Sequence, residues 1–193
     1  MSLRKERIDC YLEAVDQLLV PQGFKRRKRS QQWTRPSGND ATWVHLNFGE
    51  IVINPSVGVS YLDIEKRWNE VPGAVCGVFN MLDSLFDPSR SRTIDDAPQG
   101  LVADLVERGL PRAIQLQDRQ YVVELMLSNV VEHWPTASFS HRIRITPLLL
   151  IALNCTSEAR AIMDEFAAAA LIRDQSLPKY DFFRAEVLAR LNA

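Results

Sequence analysis

Nowhere does this chain of 193 residues stay apolar for long enough to cross a bilayer. Its longest apolar stretches, Pro147 to Leu153 and Phe166 to Ile172, fall far short of the ~20 residues that a spanning helix needs. The segment Met1 to Asp9 is charged and no apolar run follows it, so no export signal is expected and the chain reads as cytoplasmic. Cysteine is scarce too. Cys10, Cys76 and Cys155 are odd in number and far apart, without the spacing of a zinc or redox pair, and read as small buried hydrophobes in a reducing compartment. Net charge is also lacking: 23 cations against 24 anions argue against a surface that traps nucleic acid or acidic membranes as a whole. Phosphate loops, dinucleotide fingerprints, nucleophile elbows and zinc-helix motifs are missing, which weighs against an enzyme. His133 and His141 have no third ligand at short spacing, so neither a metal nor a cofactor is expected.

What is present is enough apolar sequence for one core. At this length, with 46% of residues apolar, a chain buries roughly 70% of its unfolded surface without staples. The expectation is a single domain over 1–193, with a helix-plus-sheet lobe at 1–70 and a mainly helical lobe at 71–193. Ile8, Tyr11, Leu12, Val15, Leu18 and Leu19 recur at helical spacing behind Ser2, a candidate N-cap, and Pro21 and Gly23 end that helix.

The stretch Gly23 to Tyr61 departs from this helical pattern. Five cations, Lys25 to Arg29, lead into a strand with Gln31 and Trp33, a turn at Pro36-Ser37-Gly38-Asn39, and a return strand in which Thr42, Val44, Leu46 and Phe48 alternate with Trp43, His45 and Asn47. A third strand carries Val57, Val59 and Tyr61. Pairing Trp33 with Val44 places the tryptophan on the aliphatic face, whereas pairing it with Trp43 opposes that face with polar residues, so the first register is preferred. It leaves Ser30, Gln32, Thr34, Trp43, His45 and Asn47 on the second face.

Further on, the spacing predicts a helix from about Gly73 to Phe86, an exposed mobile loop over Asp87 to Asp95, and a helix capped by Asp96 that ends near Gly109. Pro111 is read as opening another helix, which continues through Tyr121, Val122, Leu125, Asn129 and Val130 to Pro135. Phe139 to Ile145 alternates like a strand but lies between helices. Thr146-Pro147 reads as a helix start, Thr156 as a cap, and Pro178 as the opening of the last helix. The fold class is therefore α+β: an N-terminal helix, a three-stranded antiparallel sheet and a C-terminal helical bundle.

Two groups of residues invite function. In an extended strand the cations split, with Arg26 and Lys28 on one face and Lys25, Arg27 and Arg29 on the other; they could meet an acidic partner or only protect a sheet edge. The second group is the face bearing Trp43, His45, Asn47 and Gln32. His45 titrates near neutrality and could act as acid or base, but no nucleophile accompanies it, and tryptophan serves better as a binding anchor. Asp95-Asp96 reads as helix capping, and Asp63 with Glu65 as surface ion pairing.

The order of helix, Leu18-Leu19-Val20-Pro21-Gln22-Gly23-Phe24-Lys25, tryptophan-bearing strand and Val44-His45-Leu46-Asn47-Phe48 resembles an uncharacterised bacterial domain family. That family reads Gly-Phe followed by basic residues, an aromatic strand and an Asn-Phe-Gln strand. Here Gly49 follows Asn47-Phe48, so the glutamine is absent. The resemblance covers about the first sixty residues and implies a compact α+β domain of the immunity or accessory kind found beside bacterial toxins. The leading expectation is a non-enzymatic protein-binding domain, contacting its partner through Trp43, His45, Asn47, Gln32, Arg26 and Lys28. A hydrolase or nucleic-acid-processing enzyme centred on His45 is the alternative. Nucleic-acid binding through the cationic strand is the third.

Overall fold

A computed structural model describes residues 3–50, 52–81, 92–128, 134–135, 138–173 and 177–192. The fold is α+β, but six strands, rather than three, join one sheet among the described residues. They are β1 (Lys25–Arg26), β2 (Gln32–Ser37), β3 (Asp40–Phe48), β4 (Val52–Tyr61), β5 (Gly77–Met81) and β6 (Arg92–Thr93). The path runs β1-β2-β3-β4-β5, with β6 also on β4.

The chain clusters into two compact units interleaved in sequence. The first combines Met1–Val59 with Phe79–Gln117, and the second Ser60–Val78 with Asp118–Ala193.

In the first unit, α1 (Leu3–Leu19) buries Tyr11, Val15 and Leu19, the stripe its spacing dictates. The candidate cap Ser2 lies outside the described residues. A short 3-10 turn, Val20–Gln22, closes at Gly23, whose φ of 86° is readily available only to glycine. The β2–β3 hairpin pairs Trp33 with Val44, the register that the aliphatic face demanded. Its two-residue connection places Gly38 at φ 60°, the positive value that tight hairpins need. Trp33, Val44, Leu46, Ile53 and Val57 then meet Leu101 and Leu105 in one core with α1.

The run after β6 corrects two expectations. Asp96 does not cap α3 (Pro98–Asp104); its carboxylate takes the Thr93 N–H at 2.6 Å and the Thr93 hydroxyl at 3.1 Å, tying off the β6 turn. Asp95 pairs with Arg7. Pro111 does not separate two helices either. A π turn at Leu105–Gly109 joins α3 to α4 (Leu110–Gln115), and a widened turn accommodates a ring that would collide with the carbonyl four residues back in a regular helix. The break falls later, where Asp118 accepts the Tyr121 N–H at 3.1 Å and starts α5 (Arg119–Leu127). Residues 129–133, with His133, lie outside the described residues, as do Asp87 to Ser91 of the expected loop.

In the second unit, α2 (Leu62–Trp68) follows β4 and buries Ile64 and Trp68 one helical turn apart. Asp63 at its start forms a two-pronged pair with Arg119 at 2.6 and 2.7 Å. The helix expected from Gly73 is absent over 77–81, where β5 forms; Val78 and Phe79 suit a strand once a partner edge exists, and sheet pairing overrides a short helical spacing. Leu82 and Phe86 lie outside the described residues.

The stretch Phe139 to Ile145 is helical. It opens α6 (Phe139–Ala152), whose Ser138 side chain accepts the His141 N–H at 3.2 Å. Thr146-Pro147 therefore lies inside a helix and does not start one. Every residue from Ile143 to Ile151 is buried, the mark of a central helix packed on all sides. It packs against α2, α5 and α7 (Thr156–Arg173), and α7 against α8 (Leu177–Leu191). Pro178 lies in the first turn of α8 as the sequence places it, whereas Thr156, expected as a cap, is the first helical residue of α7, with the carbonyl of Cys155 before it accepting the Ala159 N–H at 3.0 Å.

Candidate functional site

The cationic run is not one extended strand. Only Lys25 and Arg26 pair with β2; the chain then turns, Ser30 N–H meeting the Arg27 carbonyl at 2.9 Å, with Arg29 at a positive φ of 68°. Strand alternation therefore ends at Arg26. Register places Arg26 opposite Trp33 and Lys25 opposite Thr34, so Arg26 lies on the core face and Lys25 on the face that carries Trp43.

Arg26 is consequently occupied within the fold. Its Nε reaches Asp16 Oδ1 at 3.0 Å and its Nη2 reaches Asp16 Oδ2 at 2.5 Å, while the guanidinium stands 5.4 Å from the Trp33 ring centre. Asp16 also accepts the Trp33 indole N–H at 2.7 Å. The Arg26 hydrogen bonds, assisted by the Trp33 bond and the Arg26 charge, outweigh burial and hold the Asp16 carboxyl below its ordinary pKa. Arg26 thus forms a structural tie between α1, β1 and β2, and it also lines the groove beside them.

The remaining cations, Lys25, Arg27, Lys28 and Arg29, are all exposed and rim a groove of about 830 Å³ beside the end of α1. Val20, Pro21 and Phe24 supply its apolar wall, and Val20 is 53% exposed. Among the described lining residues Asp16 is the one carboxylate, and it is committed to Arg26 and Trp33. The groove is therefore apolar at the wall and positive at the rim. Phe24 is buried and shielded by Arg35 at 4.7 Å, so no aromatic face is offered for stacking a base.

On the second hairpin face, Gln32 lies opposite His45 and Thr34 opposite Trp43, with Asn47 two residues further along β3. Gln32 and Asn47 are exposed, while Trp43 and His45 are half-buried. Phe79 packs on Trp43 with ring centres 6.0 Å apart. Four of the six expected contact residues thus share one face; Lys28 and the half-buried Arg26 line the groove. Burial lowers the pKa of His45, and among the described residues no side chain hydrogen-bonds to its ring.

A second concavity, which the sequence reading missed, lies wholly within the second unit. It measures about 630 Å³ and is lined in part by Gly73, His141, Arg144, Lys179 and Phe182. Arg144 is only 7% exposed; its Nη1 donates to the Ser140 carbonyl at 2.7 Å and to the Ser140 hydroxyl. His141 Nε2 meets the Gly77 carbonyl at 2.8 Å and, facing an oxygen that only accepts, carries the proton. A cation inside the apolar run Ile143-Arg144-Ile145 is the sequence signal that could have drawn attention here. Of the three cysteines read as buried, Cys10 is exposed and Cys76 and Cys155 are half-buried.

Both histidines give the protein a testable acid response. Burial lowers the pKa of His45; for His141, burial and the Arg144 charge outweigh the opposing Gly77 bond. The folded-state values lie below the unfolded one of 6.5, so their contribution to stability is complete above about pH 6.5 and is lost as pH falls below it. Asp16, Asp63 and Asp104 also have lowered values, and their contribution is lost only below about pH 4. Urea midpoints should therefore hold above about pH 6.5 and fall in two stages on acidification, with His141→Gln blunting the first. A midpoint unchanged between about pH 7.5 and about pH 5 would rule out this assignment.

No family model, curated protein or solved structure matches the chain, so the reading of its sites stands on their geometry and chemistry.

Proposed function

We propose that this chain is a protein-binding module whose cationic groove beside β1 receives an acidic segment of a partner protein. The groove itself carries the reading: Lys25, Arg27, Lys28 and Arg29 surround an apolar wall with an exposed Val20, while the local carboxylate is committed internally. Such a surface favours a segment that combines acidic residues with an apolar anchor, because complementary charge speeds encounter and the anchor supplies the desolvated contact. The absence of a stacking face favours protein over nucleic acid. Lys25 shares its face with Thr34 and Trp43, so the half-buried tryptophan with His45, Gln32 and Asn47 can extend the contact along the hairpin. A blocking role of the immunity kind, with a toxin as partner, is the most specific form of this reading.

The test is affinity capture from the native host at low salt with the wild type, Arg27→Glu/Lys28→Glu and Val20→Asp. One protein should be recovered in stoichiometric amount by the wild type, released by salt, and held at least roughly tenfold more weakly by the charge-reversed variant. Cross-links from Lys25 or Lys28 should fall within an acidic stretch of that protein. Equal capture by all three proteins, or no stoichiometric capture by the wild type, refutes the proposal. A salt-sensitive gel shift lost in the same variants, without protein capture, would assign the groove to nucleic acid instead.

A further inference from the structure

We infer that the cavity of the second unit is a binding site for a small organic anion: an apolar body carrying one carboxylate or similar oxyanion head. This site is separate in residues and chemistry from the cationic groove, and all of its described lining residues belong to one compact unit.

The volume comes first. About 630 Å³ lies within the range of sites for small organic molecules and is more than a few waters require. Its apolar side is formed by Pro72, Val75 and Phe182. Phe182 is 51% exposed on α8, an aromatic ring left beside a concavity when its neighbour Phe183 is fully buried. An apolar ligand body would remove that surface from water.

Charge decides the class of ligand. Arg144 and Lys179 line the cavity, and among the described lining residues there is no Asp or Glu. Lys179 is exposed at the rim, whereas Arg144 is almost wholly buried, where a positive charge acts through less water and attracts an anion more strongly. His141 is already committed through Nε2 to Gly77 and is held neutral by burial, so it contributes a polar wall rather than a charge. The start of the fourteen-residue helix α6 at Ser138 and Phe139 adds the positive end of a helix dipole beside the two cations.

Gly73 provides independent support from the backbone. It sits at φ 82°, and a Cβ at this position would lie 3.1 Å from Arg144 Nε. The side-chain-free position thus lets the Arg144 side chain lie close against the backbone at the cavity wall. A guanidinium at the cavity wall suits an oxyanion head such as a carboxylate.

Fluorescence titration with the anionic probe anilinonaphthalene sulfonate, beside its uncharged parent phenylnaphthylamine, tests the site, with decanoate as a competing carboxylate. Saturable, one-to-one binding of the anion is expected, displaced by decanoate and not by decanol at equal concentration. Lys179→Glu should weaken the anionic probe roughly tenfold while leaving the parent unchanged, because only the charge facing the ligand is altered. Phe182→Ala should weaken both probes, and Gly73→Ala should weaken the anion even where far-ultraviolet dichroism shows an intact fold. Arg27→Glu/Lys28→Glu should change neither, which separates this site from the groove. Equal binding of both probes that is unaffected by Lys179→Glu and Phe182→Ala would overturn the inference, as would decanol competing as well as decanoate.

Discussion

Replacing Trp33 with alanine should destabilise the first unit by about 3–5 kcal/mol, the usual cost of emptying a large aromatic site in a core. The indole is fully buried in the core that α1 shares with the sheet, so its removal leaves a cavity there. The loss has two physically separate parts. Trp33→Phe retains most of the packing but forfeits the N–H bond to Asp16, and should cost about 1–2 kcal/mol. Asp16→Ala retains the ring but leaves the indole N–H without its acceptor and Arg26 without its carboxylate, and should cost about 2–3 kcal/mol. The latter is kept moderate because Arg26 and Asp16 remain partly open to water, which can replace some of the lost contacts. Urea unfolding followed by tryptophan emission measures the series. If Trp33→Phe proves as costly as Trp33→Ala, packing is not the larger of the two parts; if Asp16→Ala proves neutral, the tie contributes nothing to stability.

Leu149→Ala should cost the second unit about 2–5 kcal/mol. Leu149 lies fully buried in the stretch of α6 that is covered on every side, so no solvent-facing flank can relax into the space left behind. Ile114→Ala removes as much side chain from a position 58% exposed in the first unit, and should change stability by no more than about 0.5 kcal/mol. Residue type alone would rank these two alike. Emission from Trp68 and Trp134, with Trp33 and Trp43 replaced by phenylalanine in the background, follows the second unit separately. A Leu149→Ala midpoint within error of its parent would contradict the all-round burial of α6.

The hairpin was legible in the sequence because its two faces differ. Val44 and Leu46 alternate with Trp43, His45 and Asn47, and one register alone gives Trp33 apolar surroundings; a slip would have buried polar groups without partners. Helix α1 was legible for the same reason at a different period. Short elements were harder. Gly77–Met81 holds apolar residues at spacings compatible with a helical turn, and only the neighbouring strand decides in favour of pairing. Pro111 and Pro147 look like helix starts in one dimension, yet a π turn accommodates the first, and the second lies deep within a helix made stable by burial on all sides.

The candidate sites divide in the same way. The cationic run is visible in the sequence, but strand alternation cannot assign its faces because the strand stops after two residues and a left-handed Arg29 turns the chain away. Sequence separation hides Asp16 from Arg26 and Trp33, and hides Gly73 from Arg144 and Lys179, because these side chains meet only when distant segments pack.

By itself, then, the sequence determined the α+β class, the opening helix, the hairpin register and the location of the positive charge, all of which follow from local periodicity and from keeping polar groups out of a core. Tertiary structure alone decided which cation was committed internally, how many strands joined the sheet, and where a buried arginine came to line a cavity. Those outcomes depend on which surfaces meet, a question that periodicity along one chain segment does not address.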